Sequence, residues 1–338
     1  MKGRVIALDH LNGREVAALI VDGRLEDLFV DKDDMPVPGT VYLARVDRPL
    51  KGQGGVMMAL GPQTGFLRRA KGLAPGQTVL VQVSGYAEAG KAVPVTDRVL
   101  FKSRYAIVTP DAPGLNISRA IKDDDRRDVL QGIARGGMDG ADAGLILRSA
   151  CETADDEDIL EDIEAMRSLC DQTLAHQELG LVHPGDGPHL RAWREWSAPA
   201  SVNTQAGSLE DTGALDAIDA LSRVDVPLGQ GSMAIEPTRA LIAVDVNTGA
   251  DTSPAAALKV NLAALNDLPR QLRLRGLGGQ ITLDLAPVMK RDRRQIETAA
   301  KAAFRRDSVD TEIVGWTPLG HLELKRKRER RPLSEVLG

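Results

Sequence analysis

The chain has 338 residues, of which 43% are hydrophobic and 3% aromatic, and a formal net charge of −5. That length predicts two or more domains, and no apolar run reaches the roughly 20 residues of a membrane-spanning helix. The net charge argues against a uniformly polyanion-binding surface. Residues 255–338, however, hold 17 Lys and Arg against 10 Asp and Glu, a local +7 that leaves −12 on the rest, and a basic end of this kind can bind nucleic acid.

The start, MKGRVIALDH, continues as a strand pattern and lacks the apolar core and cleavage site of a secretory leader, so a cytoplasmic location is expected. Residues 3–9, 15–21 and 25–30 alternate in strand fashion around Asn12-Gly13 and Asp22-Gly23, both hairpin signals. The charged, proline-bearing DKDDMPVP (31–38) marks a boundary. From Gly39 to about Leu100, short strands and glycine-rich turns predict a small closed barrel. YAIVTP and AGLILRSA then read as strands and RAIKDDDRRDVLQGIARG as an amphipathic helix. TADDEDILEDIEAMRSLCDQTLAHQE reads as a long helix with Thr153 and Asp156 as a capping box. Its neighbourhood holds both cysteines, Cys151 and Cys170, with no CxxC between them, which predicts two reduced thiols. Residues 180–230 carry Gly/Pro clusters, RAWREW and a helix near 210–223. Beyond them come paired strands over 233–246, a helix over 254–275, a strand over 279–286, a basic helix over 290–306, a strand near 311–316 and a charged tail.

The residues that draw chemical interest lie in LIAVDVNTGAD (241–251). Asp245 and Asn247 stand two apart at the end of an apolar strand and so project from one face. A second strand, QITLDLAPV, carries Asp284 near its end, and one amphipathic helix lies between the two. Strand, helix, strand at this length is a βαβ unit, which predicts parallel neighbours roughly 4.8 Å apart. Two carboxylates so placed repel unless a proton or a cation lies between them. All-oxygen ligands favour Mg²⁺ or Mn²⁺. The plainer alternative is that each aspartate ends a strand at its turn.

With these residues in view, the chain resembles the RNase E/G family of bacterial endoribonucleases. The resemblance rests on AVDVNTGA (243–250), LKVNLAALNDLPRQLRLRGLGGQITLDL (258–285) and LGHLELKRKR (319–328), with weaker matches at NISRAIKDDDR (116–126), GLILRSA (144–150) and the barrel. It implies an α+β, α/β multi-subdomain fold. An RNase-H-like part would span 1–35 and 180–230, in shortened form, with an inserted S1-like OB barrel over 36–100. A 5′-sensor would occupy 101–179, a DNase-I-like catalytic subdomain 231–330, and a tail 331–338. The implied activity is Mg²⁺-dependent hydrolysis of single-stranded RNA to 5′-phosphate and 3′-hydroxyl ends, with Mn²⁺ as a substitute. The family's two metal-binding aspartates fall on Asp245 and Asp284, and its asparagine on Asn247. Its pair that grips a 5′-monophosphate falls on Arg148-Ser149, with Arg119 and the backbone near Ile107 as further contacts. In the barrel, Phe66 matches a base-stacking position, methionine (Met57 or Met58) stands where a second aromatic is expected, and Lys91 is a phosphate contact. In the basic run LKRKRERRP (324–332), Lys325, Arg326 and Arg328 are candidates for RNA phosphates, while some of Arg270, Arg273 and Arg275 must be structural.

The chain departs from the family pattern in three places. The CPxC zinc link is absent, so neither zinc nor a zinc-linked dimer is expected and the oligomeric state stays open. The RNase-H-like part is shortened. Pro287 stands where a second acid follows the catalytic aspartate. That last departure leaves open a family member that binds RNA and cuts it little.

Overall fold

The computed structural model describes residues 3–32, 35–50, 52, 54–70, 72–87 and 90–337, so Asp33 and Asp34 of the DKDDMPVP boundary lie outside the described residues. At the first two turns, Asn12-Gly13 and Asp22-Gly23 all have positive φ, between 50° and 79°. That is the type I′ geometry that matches strand twist. It folds β1 (Arg4–Leu11), β2 (Arg14–Val21) and β3 (Arg24–Val30) into an antiparallel meander.

Five short strands follow: β4 (Val41–Leu50), β5 (Gly55–Ala59), β6 (Thr64–Arg68), β7 (Thr78–Val83) and β8 (Val93–Thr96). Their order is β4-β5-β6-β8-β7, and β4 also pairs with β7, which closes the barrel. Inward residues of each strand, among them Val46, Met58, Leu67, Val81 and Val95, fill it. Next, β9 (Phe101–Lys102), β10 (Ala106–Thr109), β11 (Leu115–Ile117) and β12 (Gly144–Leu147) form a sheet in the order β11-β12-β10-β9. It shares a core with α1 (Asp124–Gly137) and α2 (Asp156–Leu174). Helix α1 starts later than the periodicity predicts because Asp123 caps it, accepting from the Arg126 N–H at 2.7 Å. The Thr153–Asp156 capping box does not form. Asp155 is the N-cap and makes no side-chain bond, while Asp156, Glu157 and Asp158 complement the helix dipole instead. Cys151 and Cys170 are free and buried, and burial pushes both thiols up to about 11.

Strand β13 (Gly180–His183) returns to pair with β4 and leads into α3 (Pro188–Glu195). After β14 (Ser201–Asn203), parallel to β1, come α4 (Ser208–Asp211) and α5 (Ala214–Ala220). The last stretch holds β15 (Asp225–Leu228), β16 (Gly231–Pro237), β17 (Ile242–Asn247), α6 (Pro254–Leu274), β18 (Gly279–Asp284), α7 (Arg293–Arg305), β19 (Thr311–Trp316), β20 (Leu322–Arg326) and α8 (Leu333–Leu337). Its sheet runs β15-β16-β17-β18-β20-β19, with α6 and α7 packed on the same apolar core.

The chain divides into two units, Met1–Asp31 with Ala200–Gly338, and Lys32–Pro199. Strand β13 hydrogen-bonds to the barrel strand β4, so residues 180–183 fall within the second unit. Among the described residues, no helix is long and apolar enough to cross a membrane.

The basic run near the C-terminus is not a free charged tail. Its first residues form β20, where Leu324 and Arg326 face inward and Glu323 and Lys325 face out. The Arg326 side chain is 1% exposed and forms an ion contact with Asp307 Oδ2 at 2.6 Å. That contact is not an aligned hydrogen bond, since Asp307 Oδ2 lacks a hydrogen-bond partner. Arg326 is therefore a buried structural cation, which corrects its assignment to RNA phosphates. All three arginines at the end of α6 are structural as well. Arg270 donates to Asp267 and to the Leu25 carbonyl, Arg273 reaches Glu26, Asp27 and Asp307, and Arg275 donates to the carbonyls of Leu221 and Arg223.

Candidate active site

Strand β17 alternates cleanly: Ile242, Val244 and Val246 are buried while Asp245 and Asn247 are exposed. Strand β18 does the same, with Ile281 and Leu283 buried and Asp284 exposed. The two strands run parallel, and Asp245 stands in register with Asp284. Residues paired across neighbouring strands share a face, so both carboxylates project from the same side of the sheet. Asn247 donates its Nδ2–H to Asp245 Oδ2 at 2.8 Å, which orients that carboxylate. Gly249 has φ +75°, and a Cβ there would lie 2.4 Å from the Gln230 carbonyl oxygen. Only glycine lets the chain turn from Asn247 toward α6 at this point.

Two residues that the sequence reading missed complete the site. His321 precedes β20, and its Nδ1 lies 3.4 Å from Asp284 Oδ1. No spacing signals it, because a lone histidine has no partner in the local sequence. Asn261, fully buried on α6, donates to the Ala286 carbonyl at 2.9 Å and accepts from the Ala286 N–H at 3.0 Å. It thereby pins the chain two residues beyond Asp284. The only local signal was a polar residue on the buried face of an amphipathic helix. We expect Asn261→Ala to leave both Ala286 groups unsatisfied and cost about 2–3 kcal/mol. It should also lower any activity that depends on Asp284 by roughly 10–100-fold, as losses of supporting contacts around ligands do. Denaturant midpoints and turnover on one preparation check both effects.

The donor set suits a hard cation. Two carboxylates match an ion that keeps several of its own waters, as Mg²⁺ does. Among the described residues, no three His, Cys, Asp or Glu side chains gather as a metal-binding group.

The remaining candidates lie elsewhere. Arg148 directly follows β12, and its side chain is only 19% exposed. Its guanidinium donates to the carbonyls of Ser103, Arg104 and Arg194 and to Glu195 Oε2 at 2.8 Å. Ser149 follows, exposed, at the start of a 3₁₀ turn, and Arg119 is exposed. Ile107 sits inside β10, in register with Lys102 on one side and Ile146 on the other. Its main chain is therefore committed to the sheet and cannot offer a free backbone contact.

In the barrel, Phe66 is in register with Met57 and with Pro94, and Met57 with Arg48. All four side chains point outward, whereas Met58 is buried in the barrel core, so Met57 is the methionine beside Phe66. The Phe66 ring lies over Gly55, where a Cβ would come within 2.7 Å of it. Lys91, Lys325 and Arg328 are exposed.

These features define an α+β protein that joins a closed five-strand barrel to a sheet bearing paired carboxylates. Residues 101–200 and 199–329 match the model of the Ribonuclease E/G family. Ribonuclease E of Nostoc sp. is 29% identical over an alignment covering 99% of this chain and 57% of that protein. For ribonuclease E of Synechocystis sp. the values are 28%, 99% and 58%, and for ribonuclease G of Salmonella typhimurium 24%, 95% and 79%. The chain thus spans less than two thirds of the length of the two ribonuclease E proteins. The family match covers well over half of its residues, and the chain belongs to the Ribonuclease E/G family.

Proposed function

We propose that this chain is a metal-dependent endoribonuclease that hydrolyses single-stranded RNA to 5′-phosphate and 3′-hydroxyl ends, in cytoplasmic RNA processing or decay. The observation that carries this reading is the register of Asp245 with Asp284 on one exposed face, in a member of the Ribonuclease E/G family. Asp245 and Asp284 hold Mg²⁺, or Mn²⁺ in its place. Once bound, the ion supplies a water of lowered pKa and neutralises charge at phosphorus. Asn247 fixes the direction of Asp245 and keeps its amide oxygen as an acceptor for the attacking water. His321 flanks Asp284 on the opposite side from Asp245, where β20 adjoins β18.

The barrel is read as an S1-like OB module that stacks bases on Phe66, with Met57 extending the platform and Lys91 contacting phosphate. Lys325 and Arg328 add phosphate contacts beside the catalytic sheet. Arg148, Ser149 and Arg119 form the contact for a 5′-monophosphate. In this reading the β1–β3 meander belongs to an RNase-H-like part and the β15–β20 sheet is DNase-I-like. Phe66→Ala is expected to weaken binding of an A/U-rich single-stranded RNA by roughly 1–3 kcal/mol, the worth of one stacked base. Fluorescence anisotropy in Mg²⁺-free buffer measures it, and an unchanged Kd would remove the barrel from the RNA path.

Incubation with a 5′-monophosphorylated, A/U-rich RNA and Mg²⁺ tests the whole reading. Internal cuts whose downstream fragments carry a ligatable 5′-phosphate support it. Binding without cutting, in Mn²⁺ as well, selects the second reading, an RNA-binding member with little cleavage. Pro287, three positions after Asp284, favours that second reading.

A further inference from the structure

One carboxylate in the second unit is surrounded by cations. Glu195, the last residue of α3, receives Lys102 Nζ at 2.7 Å, Arg148 Nη2 at 2.8 Å and Arg194 Nε at 2.8 Å. Arg194 also pairs with Asp186, so three positive groups face two negative ones. Burial alone would raise the Glu195 carboxyl, yet Lys102, Arg148 and Arg194 hold it down at about 2. The Lys102 ammonium is itself lowered, because its burial outweighs the attraction of Glu195.

Helix energetics do not explain this placement. A carboxylate in the last turn of a helix faces the negative end of the dipole, and α3 carries its acid there with no acidic residue in its first turn. What holds Glu195 is the cation cluster, and one of those cations is the arginine proposed above to grip a 5′-phosphate. A carboxylate and a phosphate monoester present the same kind of oxygen acceptor to a guanidinium fork. The cluster is also within reach of solvent, since the side chains of Lys102, Glu195, Arg148 and Arg194 are 37%, 27%, 19% and 19% exposed. Ser149 stands exposed beside Arg148.

We propose that Glu195 is an internal surrogate for the phosphate. It occupies the anion site of Lys102, Arg148 and Arg194, and a 5′-terminal phosphate monoester binds there only by displacing it. This inference rests on the reading of Arg148-Ser149 as the 5′-end contact. It adds that the contact is closed at rest, so the unmodified chain distinguishes phosphorylated from hydroxylated RNA ends weakly. A phosphate dianion balances the cations Lys102, Arg148 and Arg194 better than a single carboxylate does.

Two measurements test the gate. In the first, inorganic phosphate is titrated in thermal melts of wild type, Glu195→Ala, Glu195→Gln and Glu195→Ala/Arg148→Ala. A phosphate-dependent rise in Tm is expected for both single variants, with little response in wild type and none in the double variant. Equal responses in wild type and the single variants overturn the proposal, and Glu195→Gln carries the comparison if the alanine variant does not fold. In the second, kcat/KM is compared for 5′-monophosphate and 5′-hydroxyl RNAs of one sequence. Removing the competing carboxylate is expected to raise their ratio on the order of tenfold over wild type, the worth of one charge-assisted bond. A purely structural Glu195 would lower stability without moving that ratio. A phosphate response with an unchanged ratio overturns the assignment to an RNA end. If no variant cuts RNA, anisotropy with the same two oligonucleotides supplies the ratio. The gate then stands on that ratio while the endoribonuclease reading fails.

Discussion

Asp245→Asn and Asp284→Asn are each expected to lower RNA cleavage about a thousandfold, near the upper range for loss of one preorganised group that stabilises transition-state charge. Both residues are exposed at strand ends, so the substitutions should leave stability within about 0.5 kcal/mol. Each substitution replaces an exposed carboxylate by an amide of the same shape. The melting temperature should therefore hold steady while turnover collapses. If Asp245 and Asp284 hold the ion as proposed, the Mg²⁺ concentration needed for any residual activity should move upward in either variant. Asn247→Ala should fall less far, since it removes the group that directs Asp245 and leaves both carboxylates in place. Time courses on end-labelled RNA across a Mg²⁺ series measure all three variants. Wild-type rates in both aspartate variants would end the assignment of this site.

Asp307→Ala should produce the largest loss of stability. Asp307 follows α7 with a side chain 1% exposed, and it pairs with Arg273 from α6 and Arg326 from β20. Arg273 also engages Asp27, which in turn holds Arg330. Removing the aspartate leaves two buried guanidinium groups without their shared anion. Breaking a buried ion pair from one side costs about 3–5 kcal/mol. For a unit of this size that is a fall in Tm on the order of 10 °C. Asp310→Ala is the matched control: its side chain is 72% exposed and pairs with Lys327 at 3.0 Å, itself 62% exposed. Exposed pairs contribute about 0–1 kcal/mol. Thermal melts of the two variants separate the effects, and similar curves would mean that the arginine network is incidental to the fold.

The network also bears on the basic run near the C-terminus. Arg326 looks like its neighbours in the basic run, and only its position on the inward face of β20 separates it from Lys325. Lys325 and Arg328, both exposed, keep their place as the proposed phosphate contacts, whereas Arg326 does not.

Local pattern determined a good deal about this protein. Alternating apolar residues place β17 and β18 with their aspartates outward, because successive side chains of a strand must face opposite ways. The length of the intervening helix determines that these strands run parallel. Asn-Gly and Asp-Gly turns determine the first meander, and short, closely spaced strands determine a barrel, since both depend on backbone preferences that neighbouring residues set. The partners of buried polar groups were decided only by the tertiary structure. Glu195 reaches Arg148 across 47 positions, Arg273 reaches Asp307 across 34, and Asn261 meets Ala286 across 25. Strand β13 pairs with the barrel, and His321 arrives beside Asp284 because β20 enters the sheet next to β18. Periodicity shows which way a side chain faces, but not which distant charge waits there. That depends on how the sheets close and on the free energy of leaving a buried charge unpaired, and both are properties of the whole fold.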